Sequence, residues 1–154
     1  MISDLYYLLP VLPRLEFDKP GQFNRGEFFE ECKKWLGAKE IALLKNLARD
    51  ETEIKKNDVG SVAEWKRFNL ELRQETAGRR KKESKTTGQG DTPLELEKKF
   101  EKKRWEYIED KEKEYNFDMN ALILYFLKAQ ILERLALFNK EKGREIFEGM
   151  VKSV

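Results

Sequence analysis

The longest apolar stretch of the chain lies near its end, from Phe117 to Phe138, with the sequence FDMNALILYFLKAQILERLALF. Its apolar residues recur at spacings of three and four, and further apolar residues widen this stripe over most of a helix surface. The uninterrupted run from Ala121 to Leu127 is far shorter than the ~20 residues that a membrane-spanning helix needs. The pattern predicts the central core helix of a helical domain, with a helix that docks onto a partner as the alternative.

Helical spacing also appears in five other segments. They are 25–36, a stretch that begins near Lys39, one that runs from the capping pair Ser61 and Glu64 to about Thr76 or beyond, 93–115, and a short last helix that follows Asn139. Asn24, with Glu27 three residues on, is expected to cap the helix over 25–36. Asp118 is expected to cap the core helix and Asn139 to end it. Without a convincing pair of strands, the sequence predicts an all-α fold, a single compact domain of about six helices over residues 1–154. The type of structure formed by residues 3–20 stays open, because prolines interrupt it.

Residues 78–91 read GRRKKESKTTGQGD and contain no aliphatic or aromatic side chain. Such a segment cannot offset the entropy lost on ordering by burying apolar surface. We predict a flexible basic linker within the single domain.

The charge is high but balanced: 39% of the residues are charged, with 31 basic and 29 acidic residues and a formal net charge of +2. No global field draws the chain to nucleic acid or to an anionic membrane. Cys32 is the one cysteine, so no internal disulfide forms, and a buried apolar role is expected for it. The beginning of the chain lacks the pattern of a targeting segment, and we expect a cytoplasmic protein without direct membrane insertion. Abundant Lys and Glu give it a thermophile-like composition.

The residue types available argue against catalysis. The chain has no histidine, which removes the usual general base and the commonest metal ligand. Gly88 and Gly90 lack the third glycine and the preceding strand of a dinucleotide-binding loop, and no Walker phosphate-binding pattern occurs. We therefore predict a protein that is not an enzyme, with no cofactor, metal or small-molecule substrate.

Two features are candidates for contact with a partner. One is a basic set formed by Arg73, Arg79, Arg80, Lys81, Lys82 and Lys85. The other is Trp105, which lies off the apolar stripe of the fourth predicted helix and is expected to be exposed, since tryptophan is enriched in interfaces. The basic set lacks aromatic residues on which bases stack, so an acidic protein surface suits it better than a nucleic acid does.

Four segments, taken in order, carry a family resemblance: YYLLPVLPRLEFD, EFFEECKKWL, WKRFNLELRQETAGRRKK and YNFDMNALILYFLKAQILERLALFNKEKGREIFEGM. Together they resemble a small bacterial family of unknown function that is encoded among the subunits of vacuolar/archaeal-type rotary ATPases. The resemblance runs from Leu5 to Met150. It implies an accessory or stalk-associated subunit, distantly similar to the helical C subunit, although this chain is much shorter. No catalytic or nucleotide-binding residues are implied.

The resulting hypothesis is a non-enzymatic protein that binds other subunits of a rotary ATPase and reaches the membrane only through that complex. Two alternatives remain open. One is a small nucleic-acid-binding regulator that uses the basic linker, and the other is a self-associating helical protein.

Overall fold

The computed structural model of the protein describes residues 5–19, 23–48, 52–56, 58, 60–85, 93–115 and 118–152. These residues form six α-helices and no β-strand. The helices are α1 (Leu5–Val11), α2 (Arg25–Lys33), α3 (Ala38–Lys45), α4 (Gly60–Lys85), α5 (Pro93–Glu112) and α6 (Met119–Lys152). The predicted all-α compact domain is confirmed.

Helix α6 is the centre of the domain. Its buried apolar residues point in every direction around the helix and are Leu122, Ile123, Leu124, Phe126, Leu127, Ala129, Ile131, Leu132, Leu135 and Phe138. They form one core cluster with residues of the other five helices, among them Leu8, Phe28, Leu44, Trp65 and Trp105. This confirms the prediction of a central core helix. In the part of the chain that the structure describes, no helix has both the length and the apolar character needed to cross a bilayer.

The end of α6 differs from the prediction. Asn139 does not end the core helix, and no separate short helix follows it, because α6 continues without a break to Lys152. At 34 residues and 1.5 Å per residue it is about 51 Å long. Asn139 and Gly143 are weak helix formers that lower helix stability by roughly 1 kcal/mol or less each, which a long helix tolerates. The predicted number of helices agrees only because α1 was missing from the prediction while α6 was divided in two.

The open question about residues 3–20 is answered for residues 5–19. Leu5 to Val11 form α1, and Leu12 to Lys19 continue as an irregular segment. Pro10 lies inside α1, where it removes one intrahelical hydrogen bond, and Pro13 disfavours the helical conformation at Leu12, where the helix has ended. The irregular segment lies against α6, since the Tyr125 hydroxyl donates a hydrogen bond of 2.7 Å to the Pro13 carbonyl oxygen.

Helices α2 and α3 begin close to their predicted positions. The Asn24 side chain caps α2 by accepting a hydrogen bond of 3.0 Å from the backbone N–H of Glu27, as predicted. The helix ends at Lys33 instead of residue 36, and Gly37 then precedes α3. Cys32 is fully buried, as expected, and burial raises the pKa of its thiol to about 12.

Helix α4 begins at Gly60, two residues before Val62, which would be its first residue if Ser61 were the cap. Ser61 lies inside the helix, where its hydroxyl donates a hydrogen bond to the Asn120 side chain of α6. At the beginning of α6, the Asp118 carboxylate accepts a hydrogen bond of 2.9 Å from the backbone N–H of Ala121, which confirms the predicted cap there. The predicted cap was therefore correct for Asp118 of α6 and wrong for Ser61, whose hydroxyl makes a contact between helices instead.

Helices α4 and α5 share a small apolar cluster of Leu72, Leu96 and Phe100. Beside it, the Arg104 guanidinium pairs with the buried carboxylate of Glu101 at 2.7 Å and donates a second hydrogen bond of 3.0 Å to the Asn69 side chain. The ion pair lies within α5, and the hydrogen bond to Asn69 is the contact that joins this buried carboxylate and guanidinium to α4.

Helix α4 also enters the segment predicted as a linker. Residues 78–85 are its last turns, and residues 86–91 lie outside the described part of the chain. Mobility of residues 78–91 therefore stays a prediction.

Candidate partner-binding surface

The basic residues predicted to bind a partner all lie on α4. Arg73 is exposed, and the other five, Arg79, Arg80, Lys81, Lys82 and Lys85, occupy the last turns of the helix. The side chains of these five residues lie outside the described part of the structure, so their role in binding remains a prediction.

The expectation that Trp105 is an exposed anchor is wrong. Its side chain is only 2% exposed and belongs to the main core. The ring of Phe17, in the irregular segment, packs edge-on against it at 5.6 Å between centroids, and the Lys128 ammonium of α6 lies 4.6 Å from its ring centre. Its indole N–H donates a hydrogen bond to the Glu109 carboxylate. Spacing along α5 alone could not reveal this, because the covering residues come from two distant parts of the chain.

Much of the charged surface of α5 is engaged within the domain. Two of its lysines pair with α4: Lys103 with Glu75 at 2.6 Å, and Lys111 with Glu64 at 3.2 Å. Two of its glutamates pair with α6: Glu97 with Arg134 at 3.4 Å, and Glu112 with Lys128 at 3.2 Å. Burial raises the pKa of the Glu112 carboxyl, and the Lys128 ammonium acts in the opposite direction. These pairs link α5 to both neighbouring helices, so its charges are not simply available to a partner.

Helix α1 presents an apolar surface that the sequence reasoning missed. Leu5 and Leu8 are buried in the core, whereas Tyr6, Tyr7 and Val11 are 51%, 57% and 58% exposed. Pro10 is also exposed. Positions 6, 7, 10 and 11 are neighbours on one side of a helix. We call these four residues the α1 face.

A tryptophan extends the α1 face onto the end of α2. The Trp35 ring stacks on Tyr7, with 5.7 Å between centroids and an interplanar angle of 19°, and Tyr6 packs edge-on against Tyr7 at 5.6 Å. The buried Nε1 of Trp35 donates to no acceptor among the residues that the structure describes. Tyrosine and tryptophan give large, rigid contact areas at low entropic cost and dominate the energetics of many interfaces. The sequence does contain a signal for this surface, because LYYLLPV is apolar on all sides. A helix this short at one side of a domain cannot bury all of them.

A groove of about 180 Å³ lies next to the α1 face. Val11, Leu12 and Pro13 form one wall, Glu27 and Glu31 of α2 form the other, and aromatic residues including Phe28 and Tyr125 form its floor. Pockets for drug-sized ligands are roughly 300–1,000 Å³, so this groove has the size of a site for one side chain.

The described residues show no arrangement typical of a metal site or a reactive thiol. No three His, Cys, Asp or Glu side chains come together among them as metal binding would require. Cys32 is fully buried, and its raised pKa keeps the thiol protonated at neutral pH.

Comparison with known proteins identifies a domain in the second half of the chain. Residues 84–154 match the family described as a protein of unknown function (DUF2764). This segment includes α5 and α6, whereas α1, α2 and α3 lie outside it. No curated protein and no solved structure gives a significant match to the chain.

Proposed function

We propose that this chain is a non-enzymatic accessory or stalk-associated subunit of a vacuolar/archaeal-type rotary ATPase, and that it binds another subunit through the α1 face. The observation that carries the binding function is the α1 face itself, with two tyrosines more than half exposed beside a stacked tryptophan. The rotary ATPase is proposed from the resemblance of the four quoted segments, the first of which contains the α1 face.

The distribution of apolar residues supports this assignment. Ten apolar residues of α6 between Leu122 and Phe138 are buried against the rest of the chain, so these side chains are not available to a partner without unfolding. The α1 face is already folded and exposed, and its inner side is anchored by Leu5 and Leu8. A preorganised apolar face binds with little loss of conformational entropy.

The test is retention of purified rotary ATPase subunits on the immobilised full chain at modest salt. We expect one subunit to be retained by the wild-type chain, and its affinity to fall about tenfold or more in the double variant Tyr6→Ser, Tyr7→Ser. Leu137→Ser is the matched control, because Leu137 is also half exposed but lies on α6, outside the α1 face. Circular dichroism should show unchanged helix content in both variants.

Failure of every subunit to bind the wild-type chain would remove the rotary ATPase from the proposal. Equal retention of the double variant and the wild type would show that the α1 face is not the binding surface. Light scattering distinguishes self-association: a dimer that dissociates in the double variant would assign the face to a second copy of the chain. Salt-dependent binding of DNA or RNA that persists in the double variant would instead favour the basic residues of α4.

A further inference from the structure

We propose that the groove beside the α1 face receives the cationic side chain of a partner protein, an arginine or a lysine. This inference rests on the proposed function, since it names the chemistry by which the same partner would be recognised. The groove and the α1 face share Val11, so one protein segment can contact both.

The floor of the groove is aromatic and can contact an ammonium or guanidinium group. Phe23 and Tyr125 are partly exposed and contribute their rings, whereas Phe28 is buried between them and also stacks on Phe126 at 5.1 Å, so it supports the other two rings. Aromatic rings attract ammonium and guanidinium groups electrostatically, and several rings in one site strengthen this preference. The wall formed by Val11, Leu12 and Pro13 suits the methylene stem of a long basic side chain.

Two carboxylates supply the charge. Glu27 and Glu31 are one turn apart on α2 and border the groove together. Glu27 is exposed and makes no ion pair with any residue that the structure describes. Glu31 pairs with Lys34 at 3.1 Å, but both side chains of this pair are solvent-accessible, so a partner's guanidinium can replace Lys34 at little cost.

Other charges near the groove do not fill it. Arg25, at the beginning of α2, forms a two-point ion pair with Glu133 of α6, with distances of 3.1 and 2.7 Å. Arg14 follows the groove wall in sequence but lines a different depression, together with Trp105 and Lys102. The groove therefore keeps a negative rim and an aromatic floor. Two carboxylates are too few for a calcium ion, which takes six to eight oxygen ligands, so an organic cation fits better than a metal.

The Pro13 carbonyl oxygen adds a polar point in the same wall. It accepts the hydrogen bond from Tyr125, and a carbonyl oxygen can accept a second one. A guanidinium has five N–H donors in a planar fork and can reach a carboxylate and a carbonyl together, whereas an ammonium acts as a point charge. We therefore expect arginine to bind more tightly than lysine.

The test is an NMR titration of the ¹⁵N-labelled full chain with N-acetyl-argininamide. N-acetyl-citrullinamide is the matched probe, because it has nearly the same shape without the charge. We expect the arginine probe to shift backbone resonances of residues 11–13 and 23–31 and of Tyr125, and the citrulline probe to leave them unchanged. Affinity for the arginine probe should fall about tenfold in Glu27→Gln, since a charge-assisted hydrogen bond is lost. It should remain within about twofold in Glu30→Gln, which removes a charge from the same helix outside the groove.

Three results would each overturn the proposal: no shifts in these residues, equal shifts with the two probes, or equal affinity of Glu27→Gln and the wild type. The outcome is separate from that of the proposed function. The titration uses no partner, and the capture experiment changes Tyr6 and Tyr7, which do not line the groove. Capture of a subunit without arginine binding would contradict only the role proposed for the groove. Arginine binding without capture would contradict only the proposal that the partner is an ATPase subunit.

Discussion

Helices α1 and α6 are both apolar on most of their sides, but the fold uses them in opposite ways. Residues of α6 meet neighbours in every direction, because α1, α4 and α5 pack around it and α2 and α3 complete the same core. Helix α1 lies at the edge of the domain and has the core on one side only, so Tyr6, Tyr7 and Val11 remain in solvent. The same all-round apolar pattern therefore gives a buried core helix at the centre of a fold and an exposed apolar surface at its edge.

The largest effect that tests this contrast is expected within α6. Leu127 is fully buried, whereas Leu137 on the same helix is 50% exposed. We expect Leu127→Ala to lower the free energy of unfolding by about 2–5 kcal/mol, because it removes buried methyl groups and leaves a cavity. The matched variant Leu137→Ala should change it by about 0.5 kcal/mol or less. Urea unfolding followed by circular dichroism measures both values, and similar losses in the two variants would contradict the central position of α6.

The core around α6 can also be examined through the titration of Cys32. Burial raises the pKa of this thiol from its ordinary value of 9.0 to about 12 in the folded protein. Between these pH values the unfolded chain loses the thiol proton and the folded chain keeps it, so stability falls as pH rises, by up to about 1.4 kcal/mol per pH unit.

In Cys32→Ala this contribution is absent. We expect the free energy of unfolding of the variant to fall less steeply between pH 9 and pH 10.5 than that of the wild type. Lysine and tyrosine side chains titrate in both proteins, so the difference between the two slopes isolates the thiol. Parallel slopes in urea unfolding would mean that water reaches Cys32 in the folded state.

The smallest effect on stability is expected on the α1 face. Val11→Ser exchanges an exposed apolar side chain for a polar one and should change the free energy of unfolding by about 0.5 kcal/mol or less. The same urea titration measures this value, with Leu127→Ala as the internal scale. A loss of more than 1 kcal/mol in the free energy of unfolding would show that the α1 face is covered within the chain. It would contradict the difference in exposure between α1 and α6.

The sequence was sufficient where local chemistry decides the outcome. The apolar periodicity around Leu122 to Leu135 identified the core helix, and Asp118 and Asn24 cap helices where their side chains were expected to do so. Cys32 was expected to be a buried apolar residue, and it is one. In each of these cases the helix period or a contact over three residues is enough, because the physical cause lies within one turn of the residue itself.

Sequence reasoning failed where the cause lies in another part of the chain. Trp105 is off the stripe of its own helix, yet Phe17 and Lys128 cover it. The error at Asn139 is different and local: the residue was expected to end α6, but the helix continues through it because a long helix tolerates one weak helix former. The groove joins residues 11–13, α2 and Tyr125, which no local spacing relates.

The sequence by itself determined the fold class, the identity of the core helix and the absence of histidine, because these follow from residue types and helical period. Only the tertiary structure decided which apolar surfaces stay exposed. Burial depends on what packs against a helix from elsewhere in the chain, and this is why Trp105 is buried in the core while Tyr6 and Tyr7 face solvent.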